Sequence, residues 1–156
     1  MSVTQELRVW IPSNRTFEDG RPKAMDGLNE IIADNRAHRN KGARIERENV
    51  EWCAWYIRQA MLQQGWPTMN VREDRACPVR IVVTFVEANN RRDVANIIGG
   101  GLKYLLDALS RPRGGKSGAA AIYDDSPRWL QSVIPRITVN PKNPGIEVTV
   151  FRVEEG

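Results

Sequence analysis

Residues Val79–Glu87 read VRIVVTFVE, and this stretch decides the fold. β-branched residues dominate it and it partly alternates, which predicts a strand half-buried on a sheet. Downstream, Leu102, Leu105, Leu106 and Leu109 recur at helical spacing. Upstream, Cys53, Tyr56, Ile57, Ala60 and Met61 share one face of a helix expected over Ile45–Gln64, ended by Gly65 and Pro67. Leu7–Ile11 reads as a first strand, stopped by Pro12, Ser13 and Asn14. Ser132–Val139 and Gly145–Val153 read as two last strands around a turn built from Asn140, Pro141, Asn143 and Pro144. They are expected to be antiparallel neighbours, because strands consecutive in sequence usually pair.

The order is β-α-β-α-β-β. It implies an α+β fold of two layers, a mixed sheet with its helices packed on one face. The 156 residues suit a single domain, 1–156. Residues 15–44 read as a long polar loop with a short helix at Gly27–Asp34 and basic residues near its end. Gly99-Gly100-Gly101 predicts a hinge-like entry to the third-quarter helix, regular only from near Leu102, since each glycine costs a helix interior about 1 kcal/mol.

Several classes are excluded early. No apolar run is long enough to span a bilayer and no signal peptide is expected, so the reading is a soluble cytoplasmic protein with no membrane partner. Cys53 and Cys77 form no CxxC and read as reduced thiols, so four-ligand zinc binding is not expected. Gly114-Gly115-Lys116-Ser117 imitates a phosphate-binding loop, but Ser110 stands where that pattern needs glycine, and no nucleotide cofactor is expected. Phe85 and Phe151 are isolated strand aromatics, which argues against an RNA-stacking sheet. The net charge of +4 raises the prior for a polyanionic partner. Trp52, Trp55 and Trp66 read first as core residues and second as an interface.

The chemistry-bearing stretch begins where the central strand ends: Glu87-Ala-Asn-Asn-Arg91-Arg92-Asp93-Val94-Ala95-Asn96. Lys103 and Asp107-Ala108-Leu109 follow, then Asp124-Asp125-Ser126. Carboxylates at strand ends and helix starts can converge on a hard cation, which needs few protein oxygens when phosphate supplies the rest. On their own, Asp93 as a helix cap and Asp124-Asp125 as a turn are the simpler account.

Taken together and in order, these residues resemble the RusA family of Holliday-junction resolvases, whose pattern is D-x-D-N at a helix start, a helix lysine, D-A-L and a D-D pair. Trp10-Ile11-Pro12-Ser13-Asn14 is similar to the family's P-S-N segment. The resemblance implies a Mg²⁺-dependent (or Mn²⁺-dependent) endonuclease acting on four-way or branched DNA in recombination and repair. It implies a homodimer, in a bacterial or phage-infected cell. It assigns catalysis to Asp93, Asp125 and Lys103, metal binding to Asp93, Asp125 and Asp124, and DNA contacts to Arg91, Arg92, Asn96, Arg111, Arg113 and Lys116. Ala95 stands where the pattern has its second aspartate, which fits a phage-type branch and leaves Asp124 or Asp107 to complete the ligand set. Lys103 lies ten positions after Asp93, where the pattern has about six. The alternative is a branched-DNA-binding protein with a degenerate site. The assumption beneath the enzyme reading is that Asp93 and Asp125 meet.

Overall fold

The computed structural model describes residues 3–37, 44–114 and 117–153. Its centre is strand β4 (Val79–Glu87), with Val79, Ile81, Val83 and Phe85 buried on one face. That face carries the helices; Arg80, Val82 and Thr84 point the other way. Strand β1 (Val3–Pro12) alternates in the same manner, burying Leu7, Val9 and Ile11. The molecule is the two-layer α+β arrangement, a four-stranded mixed sheet in the order β1-β6-β4-β5 with helices packed on it.

The last two strands do not pair, which corrects the expectation of antiparallel neighbours. β5 (Leu130–Val139) lies parallel to β4, while β6 (Gly145–Val153) inserts antiparallel between β1 and β4. The physical reason lies in the strands themselves. β6 buries Ile146, Val148 and Val150 completely and donates to both sides, as a central strand must. β5 carries Pro135, which has no N–H for a ladder and is tolerated at an edge. The 140–144 turn therefore steps across the end of β4, where the Asn140 N–H donates to the Glu87 carbonyl at 2.8 Å.

The described part of the expected loop, residues 15–37, holds more structure than a loop. Arg15–Thr16 (β2) and Pro22–Lys23 (β3) form a small hairpin, with Gly20 in the left-handed region at φ 88°. Helix α1 follows over Leu28–Ala37. Helix α2 (Arg44–Gln64) buries Cys53, Ala54, Ile57, Ala60 and Met61.

Helix α3 (Val94–Leu109) is regular through all three glycines, so no hinge precedes Leu102. Packing outweighs propensity here. A side chain at Gly100 would overlap the Gly27–Leu28 backbone where α1 begins, and one at Gly101 would overlap the Phe85 ring. The glycines admit α1 on one side and the sheet on the other. Among the described residues no helix is long and apolar enough to cross a membrane. Trp66 is buried and Trp52 half-buried, whereas Trp55 is exposed.

Candidate functional site

The start of α3 is a closed ionic network. β4 ends on Glu87, and five positions later Arg92 folds back on it. Arg92 Nε and Nη2 donate to the two Glu87 carboxylate oxygens, each at 2.8 Å. Nη1 donates to Glu30 Oε1 at 3.1 Å, and Nη2 donates also to the Met25 carbonyl at 2.9 Å. Arg15 grips the same patch from the β2–β3 hairpin, donating to Asp26 Oδ1 at 2.6 Å and Glu30 Oε1 at 3.2 Å. Asn49 of α2 donates to the other Asp26 oxygen at 2.9 Å, and the buried Tyr104 hydroxyl donates to the Asp26 carbonyl at 2.8 Å. Burial opposes ionisation of Glu30, but N–H donors together with Arg92 and Arg15 outweigh it and hold its carboxyl below the usual range. Burial likewise opposes the Arg92 charge, and Glu87 and Glu30 overcome it, raising the guanidinium further. Burial pushes the Tyr104 phenol well up.

This network changes the reading of two expected DNA contacts. Arg92 has its donors committed inside the protein and acts as a brace. Asn96 is buried, and its Oδ1 accepts from the Asn29 N–H at 2.8 Å, capping the start of α1. Asp93 is exposed and caps α3, accepting from the Asn96 N–H at 2.7 Å. Arg91 is exposed.

The end of α3 is a separate locality. Ala119, Ala120 and Ile122 donate to the carbonyls of Ala108, Ser110 and Leu109, so the chain after the basic loop is pinned to the last turn of the helix. Arg111 Nε donates to the Tyr123 carbonyl at 2.8 Å while its guanidinium sits 3.6 Å above the Tyr123 ring. Tyr123 in turn packs on Trp129 at 4.6 Å. Asp124 accepts from the Ser126 N–H and hydroxyl at 2.9 and 2.6 Å. Partial burial opposes its charge, yet Ser126, Arg111 and Arg113 hold its carboxyl below the ordinary value. Arg113 lies 3.6 Å from Asp125, both largely open to solvent. Asp107, Ser110, Arg111, Arg113 and Gly114 line a cleft of about 290 Å³ beside them.

Asp93 therefore stands at one end of α3 and Asp124-Asp125 at the other. The helix has 16 residues. At 1.5 Å per residue it separates them by about 24 Å. A Mg²⁺ ion needs its ligand oxygens at about 2.1 Å. The expected metal site is not assembled within one chain, and the residues do not fit a shared cation. Among the described residues no group of three or more His, Cys, Asp or Glu side chains could hold a metal ion. Lys103 lies between the two ends, exposed, 3.5 Å from Glu46 of α2. Lys116 falls outside the described residues.

Sequence reasoning missed Arg15, Asp26, Glu30 and Asn49. Arg15 directly follows the Pro-Ser-Asn segment, but its partners Ala24, Asp26 and Glu30 lie beyond the small hairpin, and no helical or strand spacing connects them to it. What is legible afterwards is Glu87: a carboxylate ending an apolar central strand needs a cation, and Arg92 is near in sequence.

The fold and the network define a two-layer α+β domain whose central strand and third helix are clamped by part-buried ion pairs. Comparison of the chain with protein-family models, curated proteins and solved structures returned no match, so the resemblance to RusA resolvases rests on the motifs alone.

Proposed function

We propose that this chain binds branched DNA, as a homodimer, and that it does so along the exposed stripe of α3. The observation that supports this reading is the composition of that stripe. Ala95, Gly99 and Lys103 are all exposed and recur every four residues, so they lie on one side of the helix. Two are small and the third is cationic. Exposed Arg91 precedes the helix and exposed Arg113 follows it, so cations stand before, within and after this stripe, whose one close side-chain neighbour at Gly99 is Leu28. Such a strip suits a phosphate backbone, which takes point cations and tolerates little bulk. Lys142, in the turn that crosses the end of β4, adds a further exposed cation at the Arg91 end. The net charge of +4 acts in the same direction.

The test is retention of a synthetic four-way junction against a duplex of the same sequence and a single-stranded RNA. The expected result is preference for the junction, falling steeply with salt, and weakened about threefold to tenfold by Lys103→Gln with Arg113→Gln. Equal retention of all three nucleic acids would overturn the structure-specific reading.

The second reading is the endonuclease of the RusA kind. One observation favours it: Asp93 is exposed at the helix start beside the strip, and is not consumed by the ionic network. It predicts junction cleavage in Mg²⁺ or Mn²⁺ that Asp93→Asn abolishes. Binding without cleavage in either ion rejects it and leaves the binding protein.

A further inference from the structure

Among the described residues, helix α2 carries an open groove of about 550 Å³, lined by Asn14, Glu48, Glu51, Trp52, Trp55 and Tyr56. Three aromatic rings meet there. Trp55 packs edge-on to Tyr56 with centroids 4.9 Å apart, and Trp52 lies 5.2 Å from Tyr56. Trp52 is anchored, since its indole N–H donates to the Pro12 carbonyl at 2.7 Å. Trp55 is 53% exposed, and with the half-buried Trp52 and Tyr56 it makes one contiguous aromatic surface, the kind of patch that marks an interaction site. The rim is acidic: among the described residues Glu51 makes no ion pair, and Glu48 makes a solvent-exposed one with Arg44 at 3.5 Å.

We infer that this groove binds an arginine side chain presented by a partner protein. Aromatic faces attract a cation through their ring quadrupoles, and a planar guanidinium also stacks on an indole, which an ammonium does not. Carboxylates at the rim then take the guanidinium N–H groups. The same carboxylates disfavour the other occupant that an exposed tryptophan suggests, a stacked nucleobase, because its phosphates would meet Glu48 and Glu51. The inference is independent of the DNA-binding proposal: that strip lies on α3 and is cationic, whereas this groove lies on α2 and is acidic.

The experiment follows the indole N–H signals of the full chain by NMR during three titrations. The probes are a capped heptapeptide alternating glycine and arginine, the same peptide with lysine, and a single-stranded oligothymidylate. The expected result is a saturable shift of the Trp55 and Trp52 signals with the arginine peptide, weaker by several fold with the lysine peptide. Glu51→Gln is expected to raise the dissociation constant about fivefold, and Trp55→Ala about tenfold as read on Trp52. Both positions are exposed, so neither variant threatens the fold, and intact signals from the buried Trp66 confirm this in the same spectrum. No shift at Trp55 with the arginine peptide overturns the inference. A Trp55 shift with the oligonucleotide that exceeds the peptide's overturns it in favour of a nucleobase.

Discussion

At the start of α3, Arg92 meets Glu87 through two bonds of 2.8 Å with both side chains largely shielded from water; at its end, Arg113 lies 3.6 Å from Asp125 and both are open to solvent. The residue types are the same and the circumstances opposite. A shielded pair is hard to break, because either partner alone is left as an uncompensated charge. An exposed pair contributes little, since water and salt replace it. One end of the helix thus holds the fold, and the other leaves cations available to a ligand. A motif that lists arginines and aspartates in order cannot distinguish these roles.

The largest expected effect is at the clamp. Arg92→Ala should destabilise the protein by about 3 kcal/mol, because Glu87 stays buried and Glu30 loses one of its cations. Arg113→Ala should change stability by less than about 0.5 kcal/mol. Denaturant unfolding of both variants tests this, and equal effects would erase the contrast between the two ends.

The glycines of α3 sharpen the same comparison by sign. Gly100→Ala places a methyl group against the Gly27–Leu28 backbone, where neither chain has room, and should destabilise by about 2 kcal/mol. Gly99→Ala meets only the Leu28 side chain at 3.4 Å and restores helix propensity, so it should stabilise by about 0.5–1 kcal/mol. Thermal unfolding should move in opposite directions for two adjacent residues. Movement in the same direction would return the triplet to the role of a flexible entry.

The acid limb of stability should also belong mostly to the clamp. Glu30 has its carboxyl lowered in the folded state, so its contribution is present above the ordinary glutamate value and is lost as pH falls through the lowered one. Asp124 is shifted the same way but sits in a more open place. Glu30→Gln is therefore expected to flatten stability below about pH 4.5 more than Asp124→Asn does. Unfolding followed between pH 3 and pH 7 separates the two variants, and a larger effect from Asp124→Asn contradicts the assignment.

What could be read in the sequence follows from how local each signal is. β4 and β6 were legible to the residue because β-branched alternation is written within each strand. α2 was legible from its buried stripe, and α3 from its leucines. Strand order was not legible, since the choice of β6 over β5 for the place between β1 and β4 depends on which strand can donate on both sides. The glycine triplet read as a hinge because propensity is local, while its use as a contact surface for α1 and Phe85 is not. The candidate site divided in the same way. Asp93 as a cap was visible three residues from its partner, whereas its distance from Asp125 depended on where residues 119–122 docked.

The smallest expected effect tests the functional half of the comparison. Asp125→Asn should leave stability within about 0.5 kcal/mol of the parent, since Arg113, its cation partner among the described residues, is exposed. Removing a negative charge beside Arg113 should strengthen junction binding slightly, by about twofold, because the arginine then faces the phosphates unopposed. Asp93→Asn, about 24 Å away along the helix, should act independently, so the double variant should show the sum of the two binding free-energy changes. Coupling between them would mean that the two ends meet after all, and with one helix holding them apart in each chain, the meeting would have to be between the start of α3 in one copy and its end in another.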